Sequence, residues 1–298
     1  MNKYPIDVVI PWLNPTEKWK KEYQKFCENE DPCRIRDLNT MRPTLNGILK
    51  NMPFVRFIWL IVFDEEQITS ANYDELENEK VKIVYHRDII PEEFLPNFNS
   101  LLPAMYMNKI EGISENIIFM NDDMIVNKQL SEDLYFIDDK PVHHPTISHG
   151  KRNENTRIVW GSILNTTQNL FNKIINRCDL ICDTWHMPSP LSKKTLDYLH
   201  SNYGKELYES CKDAKIRRKY SITIVELAYW LDEATGFCVR KLIYSTIRRR
   251  FLVLKDSTTR EEILDSLNYH IVCINDSEDL IKDSDRIGRE IKEVYLKG

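Results

Sequence analysis

The sequence predicts an α/β fold: a mostly parallel sheet carrying a helical insertion. Three observations lead there. Apolar runs at Ile6–Pro11, Val55–Phe63, Val81–Tyr85 and Asn116–Met120 are too short for helices, and the second of them concentrates β-branched and aromatic residues. Polar or amphipathic stretches separate the runs, and strands that alternate with helices imply a parallel sheet. After about Asp138 the texture changes, and residues 158–235 read as mainly helical. Residues 1–298 are therefore read as a single catalytic domain with that stretch inserted.

Each element has a local reason. Ile6–Pro11 runs into Pro11-Trp12-Leu13-Asn14-Pro15, a turn. Thr16 to Glu28 places Trp19, Tyr23 and Phe26 on one face behind Thr16, a residue type suited to helix capping, and Asp31-Pro32 breaks the helix. Thr40 to Asn51 reads as a helix despite Pro43, which fits a first turn. Val55–Phe63 is a strong strand, Val81–Tyr85 a shorter one, and Ser100–Ile110 reads as helical. Pro141 to Thr156 is irregular and holds His143, His144 and His149. Phe251–Leu254 and Tyr269–Ile274 are strand-like and are expected to complete the first sheet, ahead of a final helix after Ser284.

Composition narrows the function. A net charge of −5 argues against a general nucleic-acid binder, and 42% hydrophobic with 29% charged residues is ordinary for a globular chain. No apolar stretch reaches the roughly 18 residues of a membrane span. The N-terminus runs directly into Ile6–Ile10, so no secretory leader is expected and the seven cysteines are read as reduced cytoplasmic thiols. Cys178 and Cys182 lack a matching second pair for zinc.

The most informative stretch is Ile117-Ile118-Phe119-Met120-Asn121-Asp122-Asp123. An apolar strand delivers two adjacent carboxylates just beyond its C-terminal end, where open α/β sheets bind ligands. Paired carboxylates there suit a hard divalent cation such as Mg²⁺, or Mn²⁺, although Asp pairs also cap helices and form turns. Tyr269 to Asp276 repeats the pattern, ending in Asn275-Asp276. If the two ends met, they would share one metal–pyrophosphate site.

His186-Met187-Pro188-Ser189-Pro190-Leu191-Ser192-Lys193 stiffens a histidine between prolines, which suits either acid–base work or a structural turn. Arg36, Arg42, Lys193, Arg217 and Arg218 offer positive charge to phosphate oxygens, and each also reads as a solvated surface charge. Trp12 beside Asn14 suits stacking on a nucleobase or a place in the core. Arg248-Arg249-Arg250 suits a polyanionic acceptor, lipid phosphates or a solvated face.

With these segments in view, the chain resembles the Stealth family of sugar-phosphate transferases. Ile6-Asp7-Val8-Val9-Ile10-Pro11-Trp12-Leu13-Asn14 is similar to the first family block, with Pro15 where Gly is common. Arg36-Asp37 onward, Asn51-Met52-Pro53-Phe54-Val55-Arg56, Leu95-Pro96-Asn97-Phe98-Asn99-Ser100 and Phe119 to Asp123 resemble the second. His186 to Lys193 matches the H-x-P-x-P-x-x-K of the third, and Arg217 to Leu227 with Cys273 to Asp276 resembles the fourth. Ser221 stands where the family usually has Asp, and the residues around Arg42 depart from the usual pattern.

The resemblance implies a Rossmann-like or GT-A-like sheet and an enzyme of capsular or cell-surface polysaccharide synthesis. It implies transfer of hexose-1-phosphate from a UDP-sugar donor to a saccharide acceptor, often lipid-linked, with release of UMP. His186 would be the general base, with Asp37 beside it in the catalytic group, and Arg36, Lys193 and Arg218 would clamp phosphate. Asp7, Trp12, Asn14, Arg42, Asn99 and Ser100 would hold the donor. Asn121, Asp122, Asp123, Asn275 and Asp276 would hold the metal. The location implied is cytoplasmic, at the inner face of a membrane. The rivals are a metal-dependent glycosyltransferase releasing UDP and a non-catalytic subunit of an assembly complex.

Overall fold

Apart from Asp7 near its start, strand β1 (Ile6–Pro11) is apolar on both faces because both faces are covered. Val8 and Ile10 pack with Ile58, Leu60 and Ile118 on one side, while Val9 packs with Ile61 and Ile117 on the other. The computed structural model describes residues 1–27, 33, 35–144, 159–176, 186–241 and 247–296. The Asp31-Pro32 break, His149 and the Cys178/Cys182 pair fall outside them.

In chain order, β1 is followed by α1 (Glu17–Gln24), α2 (Met41–Asn51), β2 (Val55–Val62), α3 (Glu65–Ala71), β3 (Val81–Tyr85) and α4 (His86–Ile89). Then come α5 (Leu101–Met105), β4 (Asn116–Phe119), β5 (Met124–Val126), β6 (Phe136–Ile137) and β7 (Lys140–His143). Next are α6 (Val159–Ile175), β8 (Ser189–Ser192), α7 (Lys193–Cys211) and α8 (Ile224–Thr235). The chain ends with β9 (Val239–Arg240), β10 (Arg249–Val253), α9 (Arg260–Ser266), β11 (Ile271–Asn275) and α10 (Ser284–Leu296).

The main sheet has the order β3-β2-β1-β4-β8. Its first four strands are parallel, and β8 joins antiparallel to β4, with Phe119 opposite Ser189 and Asn116 opposite Ser192. The fold is thus mixed α/β with a mostly parallel central sheet, as expected. Thr16 caps α1 by accepting a hydrogen bond from the Trp19 amide at 3.2 Å.

Three expectations are corrected. The residues after His186 read as part of a helical stretch, yet Ser189–Ser192 is a strand of the main sheet. Pro190 is tolerated because β8 is an edge strand, where a missing donor leaves no ladder bond broken. The late strands do not complete that sheet. With the outer edge of β4 taken by β8, β11 pairs instead with β5 and β10 in a separate three-stranded sheet. The stretch read as one helix over Ser100–Ile110 is shorter, with α5 followed by a separate 3₁₀ turn at Met107–Lys109.

Helix α2 lies tightly on β5. A Cβ on Gly47 would meet the Val126 carbonyl oxygen at 2.6 Å, so glycine permits the contact. Asn51 donates from Nδ2 to the same carbonyl at 2.7 Å, and Thr44 Oγ1 donates to the Asp122 carbonyl at 3.1 Å. The helix therefore fixes the loop between β4 and β5, which carries the acidic pair.

Candidate active site

A cleft of about 870 Å³ opens at the C-terminal ends of β1, β2 and β4. Asn121, Asp122 and Asp123 lie in it, on the loop that leaves β4. The second acidic end arrives from the small sheet. Cys273 pairs with Met124, and the Ile274 amide donates to the Asp123 carbonyl at 2.9 Å, so Asn275 and Asp276 reach the same cleft. The two strand-then-Asn-Asp segments therefore meet.

His186 enters from the start of the edge strand. Its Nε2 lies 3.1 Å from Asn121 Nδ2 and 4.0 Å from Asp123 Oδ2. An amide nitrogen only donates, so Nε2 faces it as an acceptor, which is the form that can take a proton. The ring meets Phe251 edge-on at 5.6 Å and remains 41% exposed to the cleft.

The carboxylates are short of positive charge. Burial raises the Asp122 carboxyl to about 8, with the negative charges of Asp123 and Asp37 adding to the rise. Burial also raises Asp123, against the opposing pull of His186 and a hydrogen bond from the Cys273 thiol at 3.4 Å. Asp123 Oδ1 is buried without a hydrogen-bond partner. Crowded carboxylates with an unmet oxygen fit a hard divalent cation, which Asp122, Asp123 and the Asn121 amide oxygen would hold.

Asp276 differs from the other four residues assigned to metal. Arg36 grips it with Nε on Oδ2 at 2.5 Å and NH2 on Oδ1, and the same guanidinium bonds the carbonyls of Leu280 and Ser277. Asp276 is thus neutralised by protein, and Arg36 is held at the cleft wall. Asp37 stands on the rim, and its side chain accepts from the Asn39 amide at 2.8 Å.

Several residues taken from the sequence motifs lie elsewhere. Asp7 sits near the start of β1, at the opposite end of the sheet, and is fully buried. It accepts from Arg56 Nε at 2.9 Å and NH2 at 2.6 Å, from Trp59 Nε1 at 2.9 Å and from the Ser114 amide at 2.9 Å. Asp7 of one motif is therefore the internal partner of Arg56 from another. Arg42 pairs with Glu75 at 2.8 Å and faces Tyr73, outside the cleft lining. Asn14 ties its loop to α3 through Gln67 O and Ser70 Oγ, each at 2.9 Å.

Lys193 follows a strand that runs antiparallel to the others, which carries it to the far end of the sheet. Its ammonium pairs with Asp197 at 2.6 Å. Arg218 is exposed outside the lining, while its neighbour Arg217 lines the cleft and donates to Ser100 Oγ. The Arg217 guanidinium lies 5.7 Å from the Trp160 ring centroid.

Trp12 is 3% exposed and stacks on Tyr73 at 5.9 Å, so it forms cleft floor and core together. Asn99 is buried at the cleft wall and its Nδ2 has no hydrogen-bond partner. Sequence reasoning missed the aromatic wall. Trp19 and Tyr23 stack at 4.9 Å, and Phe98 meets Trp19 edge-on at 5.5 Å and Phe63 face-on at 5.5 Å. The shared face of Trp19 and Tyr23 was legible, but not that it turns toward the cleft.

Arg248, Arg249 and Arg250 do not form one basic surface. Arg250 pairs with Asp265, Arg248 lies over Tyr269 at 4.7 Å, and Arg249 is partly buried. No helix among the described residues is long and apolar enough to cross a membrane.

Comparison with known proteins then places the chain. Residues 34–143 match the model of Stealth protein CR2, conserved region 2. A capsular polysaccharide phosphotransferase of Actinobacillus pleuropneumoniae is 32% identical over 141 residues, which is 44% of this chain but only 38% of that relative. One of Haemophilus influenzae is 27% identical over 92% of this chain and 78% of its own length. Among solved structures, a galactosyltransferase bound to donor and acceptor sugar analogues covers 96% of this chain and 95% of its own. It aligns at 9% identity and a TM-score of 0.43, too slight a likeness to bear on activity.

Proposed function

We propose that this chain is a transferase of the Stealth family, whose conserved region 2 is matched by residues 34–143. It moves hexose-1-phosphate from a UDP-hexose to a hydroxyl of a saccharide acceptor, in synthesis of a capsular or other surface polysaccharide. The observation that carries the reading is the meeting of His186 with Asn121, Asp122 and Asp123 in one cleft.

In this reaction the acceptor oxygen attacks the β-phosphorus of the donor. The bond from that phosphorus to the bridging oxygen breaks, and UMP leaves. Nε2 of His186 takes the acceptor's proton once the acceptor hydroxyl replaces the Asn121 amide against it, and Asp123 stays beside the ring. A divalent cation such as Mg²⁺ or Mn²⁺ would supply positive charge to the pyrophosphate. Arg217 adds fixed positive charge from the wall, in place of Arg218 and Lys193, while the charge of Arg36 is taken up by Asp276. The wall of Trp19, Tyr23, Phe63 and Phe98 offers aromatic surface to the nucleoside, and the unmet amide of Asn99 offers it a donor.

The test is to incubate the purified protein with Mg²⁺, UDP-hexoses and an oligosaccharide acceptor and to identify the nucleotide released. UMP with a phosphorus-containing product supports the proposal. UDP would overturn it in favour of an ordinary glycosyltransferase.

A further inference from the structure

Away from the cleft, a second set of metal-ligating side chains comes together where the helical stretch returns to the strands. His143 ends β7, Glu233 lies in the last turn of α8, and Cys238 immediately precedes β9. The short strands β7 and β9 pair in parallel, with His143 opposite Arg240, and this brings the three residues to one point. We propose that His143 Nδ1, Glu233 Oε1 and Cys238 Sγ form a zinc site that staples α8 to β7.

The geometry carries the assignment. The three donor atoms lie within 4.8 Å of one another. His143 Nδ1 is 3.1 Å from Glu233 Oε1, and Cys238 Sγ is 3.6 Å from the same oxygen. A tetrahedral Zn²⁺ with ordinary bond lengths of about 2.0 Å to N and O and about 2.3 Å to S sets its ligand atoms about 3.3–3.5 Å apart. The two distances to Glu233 Oε1 are already close to that spacing, so the ion would enter with modest side-chain movement.

The donor set also favours zinc. Imidazole, carboxylate and thiolate are its ordinary ligands, and the two anionic groups neutralise the ion's charge. His143 and Glu233 are buried, and His143 stacks on Tyr229 at a centroid distance of 3.7 Å, which fixes the ring plane. Its Nε2 is buried without a partner, so the ring proton can move there and free Nδ1, which exchanges its hydrogen bond to Glu233 for the metal. Arg240 occupies only the other carboxylate oxygen, Oε2, and its side chain is 63% exposed and able to stay there or swing out. Cys238 is half-buried, so solvent supplies the fourth ligand and the route of entry, and the thiol proton leaves to water on binding.

The cluster has no part in the proposed transfer reaction, and its role is structural. The test loads the metal-free protein with Co²⁺ and then Zn²⁺ alone. One equivalent of Co²⁺ should give the thiolate-to-metal charge-transfer absorption of a tetrahedral site. That band should persist in Cys273→Ala, which removes the thiol of the cleft, and vanish in Cys238→Ser. Zn²⁺ should displace the Co²⁺ and raise the melting temperature of the wild type but not of Cys238→Ser or Glu233→Gln. Zinc affinity should fall more than about 100-fold in Cys238→Ser, since changes in outer-shell partners alone typically cost about 10–100-fold. No band in folded wild type, or a band that survives Cys238→Ser, would overturn the site.

Discussion

Replacing Asp122 by Asn should stabilise the metal-free protein, and more so as pH rises. The carboxyl is held to about 8 in the fold, against 3.8 as its ordinary value. A carboxyl with a raised folded pKa keeps its proton in the native state where the unfolded chain has lost it. The native state is therefore penalised increasingly from about pH 4 to pH 8, and not below. The displacement of about 4 units is worth about 5 kcal/mol at most, and water in the open cleft screens part of it, leaving about 2–3 kcal/mol. Asn keeps the shape and removes the penalty. Denaturant unfolding in EDTA at pH 4, 6 and 8 measures this. The two proteins should be nearly equal at pH 4 and differ by about 2–3 kcal/mol at pH 8, and added Mg²⁺ should close the gap by stabilising the wild type. Parallel pH profiles for the two proteins would refute the reasoning.

Three further substitutions separate chemistry from architecture. His186→Ala should lower turnover by about 10²–10⁴-fold while leaving the circular dichroism spectrum and melting temperature near wild type, and full activity would remove His186 as the base. Asp7→Ala should cost about 3–5 kcal/mol because Arg56 and the Trp59 and Ser114 donors lose their buried partner; near-native stability in a melting experiment would contradict that role. Lys193→Ala should change stability by less than about 1 kcal/mol and leave turnover intact, since its ammonium pairs with Asp197 at the far end of the sheet; a large loss of turnover in steady-state kinetics would return it to the site.

The strands were legible because burial on both faces leaves continuous apolar runs, and Ile6–Pro11, Val81–Tyr85 and Thr16's cap appear where the pattern puts them. Asp122 and Asp123 were legible because an acid after a parallel strand has one place to go. The same rule applied to Asp7 excludes it, since Asp7 opens its strand rather than following it. Lys193 was not legible. It follows a strand, but that strand is antiparallel, and direction is a property of the sheet rather than of H-x-P-x-P-x-x-K. Nor could the sequence join Asn275 to Asn121, or His143 to Glu233, because pairing between distant edges brings them together. The aromatic wall was half visible: the helix face of Trp19 and Tyr23 was clear, and its neighbour Phe98 was not.

The most direct test of the account follows the donor's β-phosphorus. A UDP-hexose radiolabelled at that atom, incubated with the protein, Mg²⁺ and acceptor, should leave its label in the saccharide product as a phosphodiester, with unlabelled UMP released. Label recovered in free UDP, with none in the saccharide, would contradict sugar-phosphate transfer.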